Sequence, residues 1–176
     1  SKLHLKANRL RWESKDNNQW LKAKYHLEKI EKDFPQSPYL MEATTNLIIL
    51  NSEFETSLNL DETIRKKLFP NIEKLSNEKI SDLLDALTTK SGEVLIINLI
   101  KDWYHLLEKK HTTLSGSEII ITFLHEKCGL SLLDLSVFLN NEIPKDKPFS
   151  SSLQNASIQK KIQFLVYWNS DWEPHT

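Results

Sequence analysis

Apolar side chains recur at intervals of three and four positions over most of this 176-residue chain. The clearest stripe lies between Asn17 and Pro35, where charged residues fall between the apolar ones; it comprises Trp20, Ala23, Leu27, Ile30 and Phe34. Such intervals place side chains on one face of an α-helix, which has about 3.6 residues per turn. The pattern therefore predicts amphipathic helices that bury their apolar faces together.

Glycine is too scarce for most folds built on sheets. The chain has 3 glycines, whereas average usage is about 7%. Tight hairpin turns need residues with positive φ, so a β-sandwich or barrel is nearly excluded. Gly92, Gly116 and Gly129 also stand far apart, without a GxGxxG or GxxxxGK motif, which excludes a phosphate-cradling loop. The prediction is an all-α fold.

Serine, aspartate and proline mark the predicted ends of the first helices. Pro35 ends the first helix, and Ser37 before Pro38 is typical of an N-cap followed by the first helical residue. The apolar spacing then predicts one helix from Leu40 to Leu58, broken at residues 59–61. Two further helix starts are predicted, with Asp61 and Ser76 as caps; Pro70 ends the helix that follows Asp61.

The helix predicted over residues 92–109 is the most apolar of the chain. Ten of the fourteen residues from Val94 to Leu107 are apolar or aromatic. A helix of this composition is buried on most sides. We expect it to be the central helix of the fold.

Four further capping signals follow after residue 114. The segment from Ser115 to Glu118 has the spacing of a capping box, and Ser131 with Asp134 repeats it. Gly129 is placed to end the helix between them in the left-handed conformation. Ser150 or Ser151 is predicted to cap the last helix.

Together these signals predict a compact bundle or short array of seven to eight helices. The length suits one domain, since a domain has roughly 100–200 residues. We therefore expect a single helical domain over residues 1–176. Two sub-units are the alternative, a bundle over 1–110 and a three-helix segment over 111–176.

One short segment resembles a known repeat family. Ala23, Leu27, Ile30 and Pro35 have the spacing of the second helix of a tetratricopeptide repeat, and the run DFPQSPY is similar to the junction between two such repeats. The preceding segment departs from that pattern, because Arg11 stands where a small residue belongs. We interpret the resemblance as the packing of two neighbouring helices in a hairpin.

Charge, hydropathy and cysteine content limit the environment of the chain. Its net charge is −1, and residues 1–34 are locally basic, with nine basic and five acidic side chains. No apolar run approaches the roughly 20 residues that span a bilayer, so we expect no membrane contact. Cys128 is the single cysteine and forms no intrachain disulfide. We expect an intracellular protein, cytoplasmic or nuclear. Because the chain begins with Ser1, we also expect a fragment or a processed form.

No residue pattern in the chain predicts catalysis, a cofactor or a metal. His125 and Cys128 are three apart on one helix, but no second pair with ligand spacing completes a zinc site. No GxSxG motif is present. Carboxylate pairs such as Glu53 with Glu55, or Asp61 with Glu62, are typical of solvated helix faces and first turns. We expect a protein that is not an enzyme.

The leading functional hypothesis is a module that binds another protein. It would present either a helical groove or an aromatic end to its partner. Tryptophan is enriched at interface hot spots, and three of the five tryptophans lie near the ends of the chain: Trp12, Trp168 and Trp172. The oligomeric state stays open.

DNA binding is the alternative hypothesis, through residues 115–168. The order of predicted helices there is similar to a helix-turn-helix layout. The residues able to meet phosphates or base edges are Lys145, Lys147, Ser151, Ser152, Gln154, Asn155, Lys160 and Lys161. Against this hypothesis, the linker before the last helix exceeds the roughly three or four residues of a DNA-binding turn. The segment also lacks arginine.

Overall fold

A computed structural model describes residues 17–109, 114–139 and 156–169, with the side chains of residues 21–107, 116–139 and 156–167. These residues form eight α-helices and two short 3-10 helices, without a strand, so the all-α prediction is confirmed. The α-helices are α1 (Asn17–Asp33), α2 (Leu40–Asn51), α3 (Ser57–Lys67), α4 (Asn77–Ala86), α5 (Val94–Lys109), α6 (Leu114–Glu126), α7 (Leu132–Phe138) and α8 (Ile158–Asn169).

The chain divides into two compact units, between Ile96 and Ile97. This division lies inside α5, whereas the predicted sub-units divide after residue 110. The first unit contains α1 to α4, and the second contains α6 to α8.

The first unit is built on a hairpin of α1 and α2. These helices pack against each other, as the local resemblance suggests, and α2 also contacts α3 and α4. Their shared core consists of Ala23, Leu27, Ile30, Ala43, Leu47 and Leu50. The apolar stripe of α1 is therefore buried as predicted at its described positions, except that Phe34 is 52% exposed. Phe34 follows the last residue of α1 and directly precedes the turn that begins at Pro35.

The prediction of one helix from Leu40 to Leu58 is wrong. α2 ends at Asn51, where the Ser52 hydroxyl donates to the Ile49 carbonyl at 2.7 Å. The chain then turns, and Phe54 and Leu58 are exposed. Their spacing continues the helical period by coincidence, while the local hydrogen bonds of a serine end the helix.

Asp61 is not the cap predicted from the sequence. Thr56 caps α3 by accepting a hydrogen bond from the Asn59 N–H at 3.3 Å. Asp61 lies inside that helix, where both carboxylate oxygens are 3.0 Å from Nε of Arg65, one turn later. Pro70 lies within a 3-10 helix over Phe69–Lys74, after α3 has ended.

The predicted start at Ser76 is confirmed. Its hydroxyl accepts from the Lys79 N–H at 3.3 Å, and α4 buries Ile80, Leu83 and Leu84. The Lys79 ammonium donates to Asn46 on α2 and to Asp82, both at 3.2 Å. This contact adds a polar link between α2 and α4 beside their apolar packing.

The burial predicted for the apolar helix is confirmed along one face of α5. Its buried residues are Ile96, Leu99, Ile100, Trp103, Tyr104 and Leu107. Asn98, Asp102 and His105 are exposed and form a polar face. The helix is therefore amphipathic rather than buried on most sides, because polar residues recur at its own period.

The second unit joins α6, α7 and α8. Gly129 ends α6 with a φ of 73°, as predicted, and the Leu130 N–H donates to the Leu124 carbonyl at 3.0 Å. Ser131 and Asp134 form the predicted capping box of α7. α8 packs against both α6 and α7.

Two predicted helix starts in this unit are wrong. α6 begins at Leu114, which places Ser115 inside the helix rather than at its cap. The Glu118 carboxylate accepts instead from the amides of Gln159 and Gln163 on α8, at 3.4 and 3.1 Å. α8 itself begins at Ile158. Ser157 lies directly before it and accepts a hydrogen bond from the Lys160 N–H at 3.4 Å, whereas the predicted caps Ser150 and Ser151 lie outside the described residues.

Candidate functional site

Most residues of the two predicted surfaces lie outside the described part of the chain. On the aromatic surface these are Trp12 and Trp172; Trp168 belongs to α8, but its side chain is not among those described. On the predicted DNA surface they are Lys145, Lys147, Ser151, Ser152, Gln154 and Asn155. Lys160 is exposed and Lys161 is half-buried on α8. Both surfaces stay predictions.

His125 and Cys128 lie at the end of α6, His125 in its last turn and Cys128 just after it. Nδ1 of His125 is 2.6 Å from the Leu130 carbonyl. Burial raises the pKa of the Cys128 thiol to about 11, so the thiol holds its proton at neutral pH and is a weak nucleophile. Within the described ranges, no group of three His, Cys, Asp or Glu residues is placed to hold a metal ion.

Several acidic residues pair with cations on their own helices. Asp61 pairs with Arg65, and Lys79 with Asp82. The hydrogen bond from Lys66 lowers the pKa of the Glu62 carboxyl below its ordinary value. Each pair is about one turn apart on its helix. The Glu62–Lys66 pair is exposed and contributes little to stability, whereas Asp61 is buried, contrary to the solvated face predicted for it.

The first unit contains a polar cleft between α1, α2 and α3, which we call the α1–α3 cleft. Its volume is about 200 Å³. Five ionisable side chains line it, Lys24, Glu28 and Glu31 from α1, Glu55 from the turn after α2, and Lys67 from α3. No residue of this cleft was singled out as a site by the sequence.

Glu31 is the best-neutralised acid of the cleft. One carboxylate oxygen accepts from the Thr44 hydroxyl at 2.8 Å, and the other accepts from the Lys67 ammonium at 2.9 Å. These bonds connect α1 with α2 and with α3. Glu28 has a looser ion pair with Lys24, at 3.8 Å. Both acids on α1 therefore have a cation of the chain beside them.

Asn51, the last residue of α2, contributes an amide to the wall of the cleft. Its Oδ1 atom is buried and accepts no hydrogen bond from the described residues. An unsatisfied buried acceptor costs about 1–3 kcal/mol. The described fold thus bears a cost for this amide without using its oxygen.

Glu55 lies one turn beyond Asn51, and its N–H donates to the Asn51 carbonyl at 3.0 Å. Glu55 is half-buried and its side chain lines the cleft. Among the described residues it has neither an ion pair nor a side-chain hydrogen bond. With two lysines and three glutamates, the cleft carries a net charge of −1, which Glu55 accounts for.

The size of the cleft limits what it can hold. Small-molecule and cofactor sites usually have roughly 300–1,000 Å³. A cleft of about 200 Å³ is smaller, and suits a single side chain or a similar small group. It is also polar, whereas cofactor sites are mostly apolar.

Sequence reasoning missed this site because its groups come from three helices and one turn without a shared motif. The one local signal is Asn51, a polar residue between Leu50 and Phe54 in a stretch predicted to be one helix. A polar interruption of an apolar stripe indicates either a helix end or a site. Here it marks both.

Comparison of the chain with protein-family models, with curated proteins and with solved structures gives no match. None of the described helices has both the length and the apolar character needed to cross a membrane.

Proposed function

We propose that this protein is a non-enzymatic interaction module that binds a segment of a partner protein in the α1–α3 cleft. The observation that carries this proposal is the Asn51 amide, whose buried oxygen has no donor within the described fold. Polar groups that break local rules at a stability cost are expected at functional or strained sites.

A peptide segment suits this amide chemically. An asparagine side chain offers one acceptor and two donors, which match the polar groups of a peptide, in its backbone or in a side chain. The volume of about 200 Å³ accommodates one side chain of such a segment. The rest of the segment would lie along the surfaces of α1 and α3.

Peptide display with this chain as the immobilised target tests the proposal. Bound peptides are then titrated against the chain by fluorescence polarisation. We expect the Asn51→Leu variant to bind roughly tenfold more weakly or worse, because the amide bonds to the peptide are lost. Asn59→Leu is the matched control, since Asn59 is exposed on α3 and does not line the cleft. Selection of no peptide, or equal affinity in the two variants, would overturn the proposal.

The aromatic surface of Trp12, Trp168 and Trp172 is the rival location for the partner. Alanine at all three positions tests it with the same peptides. Loss of binding there, combined with normal binding by Asn51→Leu, would assign the function to the aromatic end. Normal binding by the triple variant would remove that surface from consideration.

A further inference from the structure

We infer that the α1–α3 cleft is a subsite for one cationic side chain, an ammonium or a guanidinium, with Glu55 as its counter-charge. This inference rests on the proposed function and names the chemistry of the partner segment. It follows from the charges of the cleft, the end of α2 and the donors that Asn51 lacks.

The charges of the cleft leave one carboxylate to be matched. Lys67 and Thr44 satisfy Glu31, and Lys24 lies beside Glu28. Glu55 alone of the three acids has no ion pair with a described cation. Glu55 is a half-buried residue, and a cation gains more from an acid with restricted access to water than from one in open water.

The end of α2 favours a positive charge at the same place. The last carbonyl groups of a helix carry partial negative charge, and cations are stabilised beside them. The chain itself places one cation at this terminus, outside the cleft, since the Lys90 ammonium donates to the Ser52 carbonyl at 2.7 Å. Asn51 and Glu55 lie on either side of Ser52 in sequence, at the same terminus.

The occupant must donate hydrogen bonds. The Oδ1 atom of Asn51 and the carboxylate of Glu55 are both acceptors, and an ammonium offers three donors while a guanidinium offers five. The Asn51 amide can turn about χ2, a torsion with a broad, two-fold preference, and so direct its oxygen toward the cleft. An acidic side chain would be repelled by Glu55, and the two lysines of the cleft are already paired with Glu28 and Glu31.

The experiment uses the full chain and the peptide display described above. We expect the selected peptides to share a lysine or arginine at one position. We expect Glu55→Gln to weaken their binding roughly tenfold or more, as hydrogen bonds to charged groups do. Glu53→Gln is the matched control, because Glu53 is exposed two residues away and does not line the cleft; it should change affinity by less than about twofold.

A charge exchange completes the test. Replacing the basic residue of a selected peptide by glutamate should abolish its binding to the wild-type chain. The same peptide should recover measurable affinity for Glu55→Lys, in a double-mutant cycle with a coupling between the two positions. Far-UV circular dichroism and melting of each variant establish that the fold is retained.

The outcomes separate this inference from the proposed function. If no peptide binds, or if Asn51→Leu has no effect, the proposed function fails. If peptides bind in the cleft without a shared basic residue, and Glu55→Gln equals Glu53→Gln, the function stands and the cation subsite is wrong. Selection of acidic peptides would likewise overturn the subsite.

Discussion

Two asparagines on α2 have opposite energetic roles. Asn46 is buried and its Oδ1 accepts from the Lys79 ammonium at 3.2 Å. Asn51 has a buried oxygen without a donor in the described fold. An amide that stabilises the fold and an amide that costs stability therefore lie on one helix, and substitution distinguishes them.

We expect Asn51→Leu to leave the free energy of unfolding unchanged or to raise it by up to about 1 kcal/mol, because it removes an unsatisfied acceptor. Asn46→Leu should lower it by about 1–3 kcal/mol, since the Lys79 ammonium loses an acceptor. Urea unfolding followed by circular dichroism measures both values. A clear loss of stability in Asn51→Leu would show that the amide serves the fold, and would weaken its assignment to a ligand.

The reactivity of Cys128 follows from its pKa, which burial raises from 9.0 to about 11. At about pH 8 the thiolate fraction falls roughly a hundredfold between those two values, so disulfide reagents should react about that much more slowly with the folded chain than with the chain in guanidinium. The single cysteine makes the measurement unambiguous. Equal rates in the two states would contradict the burial of this thiol.

The same pKa determines the sign of its effect on stability. The folded chain keeps the thiol proton up to about pH 11, whereas the unfolded chain loses it above pH 9.0. The contribution of Cys128 to the free energy of unfolding is therefore fully present below pH 9.0 and is lost as pH rises toward 11. Cys128→Ala should show a weaker dependence on pH in this window.

At the scale of elements, the end of α6 depends on the backbone of one glycine. Gly129 has a φ of 73°, and a Cβ there would meet no atom within 4 Å. Gly129→Ala should therefore cost about 1–2 kcal/mol of unfolding free energy through backbone strain alone. Gly92 is the matched control, since a Cβ there also has open space and φ is not positive; Gly92→Ala should change stability by less than about 1 kcal/mol. Equal effects in thermal or urea unfolding would mean that the turn after α6 tolerates a side chain.

The capping box of α7 predicts a dependence on acid. The Ser131 hydroxyl and N–H both donate to Asp134, at 2.6 and 2.9 Å, and these bonds hold the pKa of that carboxyl below its ordinary 3.8. The stabilisation is fully present above pH 3.8 and is lost as pH falls through the lower, folded value. Asp134→Asn should flatten this acid limb of the stability curve.

Urea unfolding between pH 7 and 2 measures that limb. Ser131→Ala should lower stability by about 1 kcal/mol at neutral pH, because the Asp134 N–H loses its acceptor. Asp85→Asn is the control, as Asp85 is exposed on α4 without a described side-chain hydrogen bond. An acid limb that is the same in wild type and Asp134→Asn would contradict the role of the cap.

Local chemistry made several of these elements predictable. Ser76, Ser131 and Gly129 act within one turn of themselves, so the sequence predicts them correctly. The prediction failed where a period continued across a helix end, as at Phe54 and Leu58, which are exposed after α2 has ended. Apolar spacing shows which face a residue would occupy in a helix, but hydrogen bonds by Ser52 and Thr56 decide where the helices end and begin.

At the scale of the whole molecule, the fold class was predictable and the candidate site was not. The all-α class depends on spacing and glycine scarcity, both visible in the sequence. The α1–α3 cleft depends on which carboxylates find partners on other helices. Glu31 meets Lys67 from a position 36 residues away, whereas Glu55 meets no described cation. Tertiary packing determines which of these carboxylates has a cation beside it, and no local sequence pattern predicts this.

The charge of the whole chain bears on the DNA-binding alternative. A net charge of −1 provides no long-range attraction to a polyanion. Binding to duplex DNA would then depend on a local set of lysines, including the exposed Lys160 on α8. A DNA-binding protein that neutralises several phosphates loses affinity steeply as the salt concentration rises. The logarithm of its binding constant falls with the logarithm of the salt concentration, with a slope of about −0.9 per phosphate.

We therefore expect no detectable binding of the chain to mixed-sequence duplex DNA in fluorescence polarisation at about 50 mM salt. Electrostatic attraction to the phosphates is strong at such low salt, so this condition favours detection. Lys160→Glu with Lys161→Glu is the paired variant, and Lys127→Glu is a control on an exposed lysine outside the predicted set. DNA recognition would be established by binding that falls steeply with salt and prefers some sequences. This binding must also be lost in the paired variant and retained in the control. That result would assign DNA recognition to the second unit, while the peptide titrations would still decide the role of the α1–α3 cleft in the first.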